Sequence, residues 1–124
     1  MEGKMRFEDL DVWKRSARLS ADLYKASRNI KDYGFRDQVT RSGLSVPSNI
    51  AEGHDRGSVK EAIRFLNIAK GSCSELRTQI YIGVDIGYIE QALGKNWIDE
   101  TQLISNQLGS LIRTKRTFLK EKTD

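Results

Sequence analysis

The single proline of this chain, Pro47, constrains its fold more than any other residue. It stands in a segment whose residues recur at three- and four-residue steps, the spacing of one helical face. These residues are Phe35, Val39, Ser42, Val46, Asn49 and Gly53. Proline has no N–H to donate, and its ring collides with the carbonyl four residues earlier, which belongs to Gly43. Because a glycine eases that collision, the pattern predicts one kinked helix rather than two separate helices.

Polar and small residues near the proline are interpreted as structural. The Asn49 side chain suits carbonyls that a kink releases, and Glu52 stands four residues before Arg56, the spacing of a helical ion pair. Gly71 and Ser72 are predicted to let their helix approach the kinked helix closely. The structural motif comprises Pro47, Asn49, Glu52, Gly53, Arg56, Gly71, Ser72 and Glu75.

Helical periodicity covers most of the chain and predicts four helices. Their expected bounds are about 8–28, 35–54, 59–89 and 97–119. Ser58 followed by Glu61 fits a capping box at the third helix, and Asn96 is expected to cap the fourth. The short connections predict an all-α, antiparallel up-down-up-down four-helix bundle with a proline-kinked second helix. Residues 1–124 are expected to form a single domain, because this length suits one core.

The first predicted helix carries two apolar stripes. One consists of Leu10, Trp13, Ala17, Ala21 and Tyr24. The other consists of Val12, Ser16, Leu19 and Leu23. At roughly 100° per residue the stripes lie about 120° apart, whereas a helix covered by one core needs only one stripe. We therefore expect contact with a second subunit, and a wide core face with a few exposed apolar residues is the alternative.

Composition argues against an enzyme, a cofactor or a metal site. The chain has one cysteine and one histidine, whereas a metal site needs several converging ligands. Cys73 lies on an apolar helical face and is expected to be buried. His54 is expected in a turn and is a weak candidate for a general base, because a base needs a partner within hydrogen-bond reach. The lone cysteine, the absence of a long apolar run and the absence of a signal peptide predict a cytoplasmic protein with no membrane span.

A basic balance of charge is the main functional signal. The chain has 21 lysines and arginines against 17 acids, a net charge of +4. This allows binding of RNA or DNA, and the alternative is a protein-interaction scaffold with ordinary solvated faces. The candidate nucleic-acid-binding residues are Lys14, Arg15, Arg18, Lys25, Arg64, Arg113, Lys115 and Arg116. Clustering of Arg15, Arg18 and Arg64 on one surface would favour nucleic acid, and their dispersal would favour the scaffold.

Several segments together resemble a known protein family. They include Leu10-Asp11-Val12-Trp13, Ser45-Val46-Pro47-Ser48-Asn49-Ile50-Ala51-Glu52-Gly53, Phe65-Leu66-Asn67-Ile68-Ala69-Lys70-Gly71-Ser72 and Glu75-Leu76. The chain resembles the four-helix bundle proteins encoded in intervening sequences of bacterial 23S ribosomal RNA genes. It is also similar to a related branch, the accessory variability protein of diversity-generating retroelements.

The resemblance implies a four-helix bundle that assembles as a ring-like homopentamer. For the retroelement branch it implies that the basic pentamer binds nucleic acid and a partner protein, the reverse transcriptase. For the intervening-sequence branch it implies an assembly without a defined biochemical activity. The shared residues imply no catalytic group.

Overall fold

The computed structural model describes residues 5–123, and the side chains of residues 5–121. Within these residues the chain forms four α-helices and no strand. They are α1, Asp11–Ala26; α2, Tyr33–Asp55; α3, Val59–Asp85; and α4, Gln91–Thr123. This confirms the predicted all-α class with four helices. Residues 1–4 and 124 of the expected domain lie outside the described residues.

The first two helices begin at local polar contacts. A short 3-10 helix, Phe7–Asp9, comes first, and the extended backbone of Leu10 separates it from α1. The predicted first helix, 8–28, is therefore divided near its start and ends two residues early. The Asp32 carboxylate accepts a hydrogen bond from the Phe35 amide at 3.1 Å, so α2 starts before the expected residue 35.

The third helix begins at half of the predicted capping box. The Ser58 hydroxyl accepts a hydrogen bond from the Glu61 amide at 3.2 Å, whereas the Glu61 carboxylate accepts from Arg64. The helix ends four residues before the predicted residue 89. Gly87 adopts a φ of 82°, and the Tyr88 amide donates to the Gly83 carbonyl at 2.8 Å. This left-handed glycine closes the helix in the manner of a Schellman motif.

The fourth helix differs most from its prediction. It begins at Gln91 rather than 97, so the expected cap at Asn96 is wrong and this residue lies inside the helix. The Gly94 amide donates to the Glu90 carbonyl at 2.9 Å, and a Cβ at Gly94 would overlap the Val84 side chain. The glycine that suggested a loop instead lets α4 approach α3 closely.

The helices pack on one another in chain order, and α1 also packs on α4. In the described part of the chain, the backbones of α1 and α3 are not neighbours, and neither are those of α2 and α4. Contacts between α2 and α3 run in opposite order: Ser42 meets Glu75, whereas Gly53 lies against Ala62. These two helices are therefore antiparallel. Pro47 lies inside the continuous α2, and the predicted bend at this residue stays a prediction.

The core receives large apolar side chains from every helix. The largest fully buried ones are Leu23, Ile50, Leu76, Ile80, Ile104 and Leu108. Cys73 is also buried, as predicted from its apolar face. No helix in residues 5–123 has both the length and the apolar character needed to cross a membrane.

Candidate functional site

Polar residues near Pro47 join α2 to α3. The Asn49 amide nitrogen donates to the Ser45 carbonyl at 2.7 Å and to the Ser45 hydroxyl at 2.9 Å. That hydroxyl lies 2.8 Å from the Ser72 hydroxyl on α3. Pro47 leaves the Gly43 carbonyl without its usual backbone donor. Asn49 thus binds not that carbonyl but the one two residues later, at Ser45. The network holds the two helices together across a half-buried surface.

Close helix approach occurs at two glycines of α2. A Cβ on Gly43 would lie 2.5 Å from the Leu23 side chain of α1, and one on Gly53 would lie 2.8 Å from Phe65 Cβ of α3. Gly71 faces open space, so the predicted close approach at this glycine does not occur within the chain. Gly43 therefore matters for packing against α1 as well as for its place before Pro47.

Two acidic motif residues have identifiable partners. Ser42 donates to Glu75 at 2.7 Å, and because Glu75 is exposed it is not a buried carboxylate in need of compensation. Arg56 donates to Glu52 at 3.1 Å, which is the helical ion pair that the spacing predicted. The first contact joins a buried hydroxyl of α2 to α3, and the second is an exposed ion pair within α2.

Arg64 is engaged at the surface of α3. Its guanidinium donates to Glu61 at 2.7 Å and lies 4.5 Å from the centre of the Phe65 ring. The hydrogen bond from Arg64 lowers the pKa of the exposed Glu61. Since α1 and α3 are not neighbouring helices, Arg64 lies apart from Arg15 and Arg18. The three arginines therefore do not form one cluster. For these residues, this favours the hypothesis of a protein-interaction scaffold.

Arg15 forms a bridge between α1 and α4. It donates to both oxygens of Glu100, at 3.1 and 3.3 Å, and lies 3.9 Å from Asp11. Arg15 is therefore less available to a phosphate than its sequence neighbours. The other candidates on α1 are exposed on its outer arc and have no ion pair with any residue that the structure describes. We call Lys14, Arg18 and Lys25 the outer arc of α1.

An apolar groove of about 300 Å³ runs between α1 and α2. None of its described lining residues is charged, and Leu44 at its edge is 48% exposed. The apolar groove is lined by Phe7, Trp13, Ala17, Ser20, Leu44, Pro47, Ser48 and Ala51. Trp13 and Ala17 belong to the first predicted stripe, whereas all members of the second stripe are buried. The second stripe of α1 thus faces the core, and two of the five residues of the first stripe line this groove.

A basic surface lies between α3 and α4. Arg77 donates to Gln102 across the two helices. A Cβ built on Gly109 would lie 3.4 Å from Arg113 Nη1 and 3.8 Å from Lys70 Nζ, so both cations lie over the backbone of this buried glycine. Arg116 follows two helical turns after Gly109 and is exposed. We call Lys70, Arg77, Gly109, Arg113 and Arg116 the basic groove.

On the α4 side, the middle of the basic groove has no acidic residue. Residues 101–120 include no aspartate or glutamate, and Glu75, the one acid in the central turns of α3, accepts from α2. No described carboxylate pairs with Lys70, Arg113 or Arg116. Acids collect instead at the far end of the helix pair, around a surface cavity of about 760 Å³. Its acidic lining residues are Asp85, Glu90 and Asp99.

Lys70 and Arg77 were not among the residues predicted to bind nucleic acid. The available signal was their seven-residue spacing together with the acid-free segment 101–120. Of the predicted residues on α4, Arg113 and Arg116 lie in the basic groove. Lys115 is half-buried on a different part of the helix surface. The structure therefore divides the predicted basic set among several surfaces.

The described residues offer little for catalysis. Over residues 5–121 no three His, Cys, Asp or Glu side chains converge as metal ligands. His54 Nε2 donates to the Met5 carbonyl at 2.7 Å, so this nitrogen serves a structural bond. Burial raises the pKa of the Cys73 thiol to about 11, although Arg77 lowers it slightly. A thiol in that state is a poor nucleophile at neutral pH.

Comparison with known proteins identifies the family. The family model described as "23S rRNA-intervening sequence protein" matches residues 8–110, which is most of the chain. The chain belongs to this family. The resemblance to the intervening-sequence family is thereby confirmed, and the similarity to the retroelement branch stays a prediction. No protein with a curated function matches the sequence.

A solved structure shares the fold of this 23S rRNA-intervening sequence family member. It is a protein of unknown function from the S23 ribosomal protein family of Bacteroides thetaiotaomicron VPI-5482. The two chains are 26% identical with a TM-score of 0.77, over 82% of this chain and 97% of the other. The family match ends at residue 110, so Lys70, Arg77 and Gly109 lie inside it, and Arg113 and Arg116 lie beyond it.

Proposed function

We propose that this family member is a non-enzymatic, cytoplasmic protein that assembles with copies of itself and binds RNA or DNA. The observation that carries the proposal is the contrast between its two sides. Since α1 and α3 each pack on both α2 and α4, the apolar groove and the basic groove lie on opposite sides of the bundle. An exposed apolar groove is suited to contact with another chain, and an acid-free basic groove attracts phosphates.

We propose that the assembly is a ring-like homopentamer. The number five comes from the family resemblance, and the surfaces support self-association. A closed ring is head-to-tail, so each copy needs two different contact patches. The apolar groove supplies one, and Ile82 with Ile86, 49% and 50% exposed near the end of α3, supplies the other. A second copy of this chain presents both patches and is the occupant we assign to the groove.

Two charged substitutions test the assembly. Leu44→Glu and Ile82→Glu change exposed side chains, so each variant is expected to keep its helical content. Each alone should abolish assembly, because every contact of a head-to-tail ring uses both patches. Mixed together, the two variants should form a 1:1 dimer, since each supplies the patch that the other lacks. Light scattering measures both results, and assembly that survives either substitution would contradict the two-patch ring.

Nucleic-acid binding is tested on the assembled protein. A structured RNA is titrated at low and at high salt, and light scattering follows the mass of the assembly. Binding that weakens steeply with salt supports phosphate contact. An assembly that binds neither RNA nor DNA at low salt would instead support the second candidate, a protein-interaction scaffold. The dispersal of Arg15, Arg18 and Arg64 is the observation that favours that candidate.

A further inference from the structure

We propose that nucleic acid binds in the basic groove, with Lys70 and Arg113 over Gly109 as the phosphate-binding centre. The inference rests on the proposed nucleic-acid binding and gives it a location. It assigns the contact to α3 and α4, and not to the outer arc of α1, where three of the eight sequence-predicted candidates lie.

The geometry at Gly109 favours an anion. A guanidinium and an ammonium group from two different helices lie over one backbone position, and no described carboxylate pairs with either. Like charges that converge in this way repel each other, so an anion between them would relieve the repulsion. Arginine offers a planar pair of donors and lysine a compact charge, and together they suit a phosphate.

The remaining cations extend this centre along the groove. Arg77 lies two helical turns from Lys70 on α3, and Arg116 lies two turns from Gly109 on α4. Because seven residues rise about 10.5 Å, the array is about 20 Å long. A strand of B-DNA advances about 3.4 Å per phosphate, so several phosphates face an array of this length. Contacts of this kind position the backbone and do not read base sequence.

The outer arc of α1 is less suited to the same task. Arg15, which shares its helix, is bound to Glu100 and lies near Asp11. A further acid, Asp22, is exposed on the same helix. Acids within a turn or two of the cations lower the local positive potential that a phosphate meets. On α4 the basic groove has no acid between residues 101 and 120, and the nearby acid of α3, Glu75, accepts a hydrogen bond from Ser42 of α2.

A carboxylate placed at the centre provides the first test. Gly109→Asp puts a negative charge between Lys70 and Arg113, in a space where a Cβ meets only flexible side-chain tips. Thr114→Asp is the matched control, because it adds the same charge to an exposed position of α4 away from the groove. The probes are a short RNA duplex and a DNA duplex of the same sequence. Circular dichroism and light scattering confirm that both variants keep their helices and their assembly.

The expected result is a large loss confined to the groove variant. Neutralising two phosphate contacts should weaken binding about 50-fold at about 0.1 M salt and reduce the slope of log affinity against log salt by about 2. Thr114→Asp should bind within about threefold of the unchanged protein. Equal losses with both duplexes would identify phosphate as the shared ligand. A loss with one duplex alone would identify RNA or DNA as the ligand of the groove.

A neutralising pair of double variants supplies the second test. Lys70→Gln with Arg113→Gln should reproduce the loss, whereas Lys14→Gln with Arg18→Gln removes the same charge from the outer arc of α1 and should not. If the groove variants bind as well as the unchanged protein, or if both double variants lose affinity equally, the assigned site is overturned and nucleic-acid binding stands. If the unchanged protein binds neither duplex, the proposed function itself fails.

Discussion

The apolar groove and the basic groove use glycine in opposite ways. On the α1/α2 side, Gly43 has no room for a side chain, because a Cβ would lie 2.5 Å from Leu23 of the neighbouring helix. On the α3/α4 side, a Cβ on Gly109 would meet only the tips of Arg113 and Lys70, at 3.4 Å and beyond. The first glycine lets two helices close on each other. The second is buried beneath the side chains of two cations.

The two sides also differ in how their charges are matched. The apolar groove has no charged lining residue, and on the neighbouring seam Arg15 is bound by Glu100. In the basic groove Lys70 and Arg113 converge with no described acid. Unmatched like charges lower the stability of a fold, so a surface that keeps them is suited to an external anion. One side thus favours contact with protein and the other contact with phosphate.

Salt concentration should distinguish the two sides most clearly, because it should weaken RNA binding and leave self-association unchanged. With about four phosphate contacts, affinity for an RNA duplex should fall about 100-fold between 50 and 200 mM salt. The assembly should keep its mass over the same range, because apolar contacts are not screened by salt. Fluorescence anisotropy and light scattering on the same samples measure both. An assembly that dissociates in step with the RNA would show that charged contacts also hold the copies together.

Alanine at the two glycines should change stability in opposite directions. Gly43→Ala should cost about 1–2 kcal/mol of unfolding free energy, because overpacking against Leu23 outweighs the gain in helix propensity. Gly109→Ala should gain up to about 1 kcal/mol, since its Cβ fits and alanine favours the helix. Chemical denaturation measures both, each variant serving as the control for the other. A stabilising Gly43→Ala would mean that α1 moves away from α2 at little cost.

Much of the fold could be predicted because helical periodicity and capping are local. The four helices, the buried Cys73 and the serine cap of α3 follow from spacing along the chain. The start of α4 could not be predicted in this way. Gly94 is a weak helix former, and only its packing against Val84 shows why a glycine suits that position. Tertiary contact overrides local propensity there.

The site was less predictable for a related reason. Spacing along one helix identified the outer arc of α1 and the basic end of α4, but it carries no information on how distant helices pair. Arg113 lies over Gly109 because the two are four residues apart on α4, but only the register of α3 on α4 brings Lys70 to the same place. Arg15 shows the reverse case. Its sequence neighbours are basic, whereas its partner is Glu100, on the last helix of the chain.

The smallest expected effect on stability comes from the contact between α1 and α4, which joins the two sides. A double-mutant cycle with Arg15→Met and Glu100→Gln should show a coupling of about 0.5–1 kcal/mol, since the pair is bidentate and both side chains are partly shielded from water. The coupling should shrink in high salt because screening weakens the attraction between the charges. Urea denaturation of the four proteins in the cycle measures it.

The matched control is the pair formed by Lys95 and Asp99 within α4. Their charged atoms lie 3.3 Å apart, but the side chains are 77% and 67% exposed. A more hydrated pair within one helix should couple by about 0.3 kcal/mol. A larger coupling energy for the Arg15–Glu100 pair than for the Lys95–Asp99 pair would show that the ion pair between α1 and α4 stabilises the closed bundle. Equal coupling energies would mean that α1 is held in the bundle almost entirely by its packing on α2. The stability of the apolar side would then not depend on this ion pair.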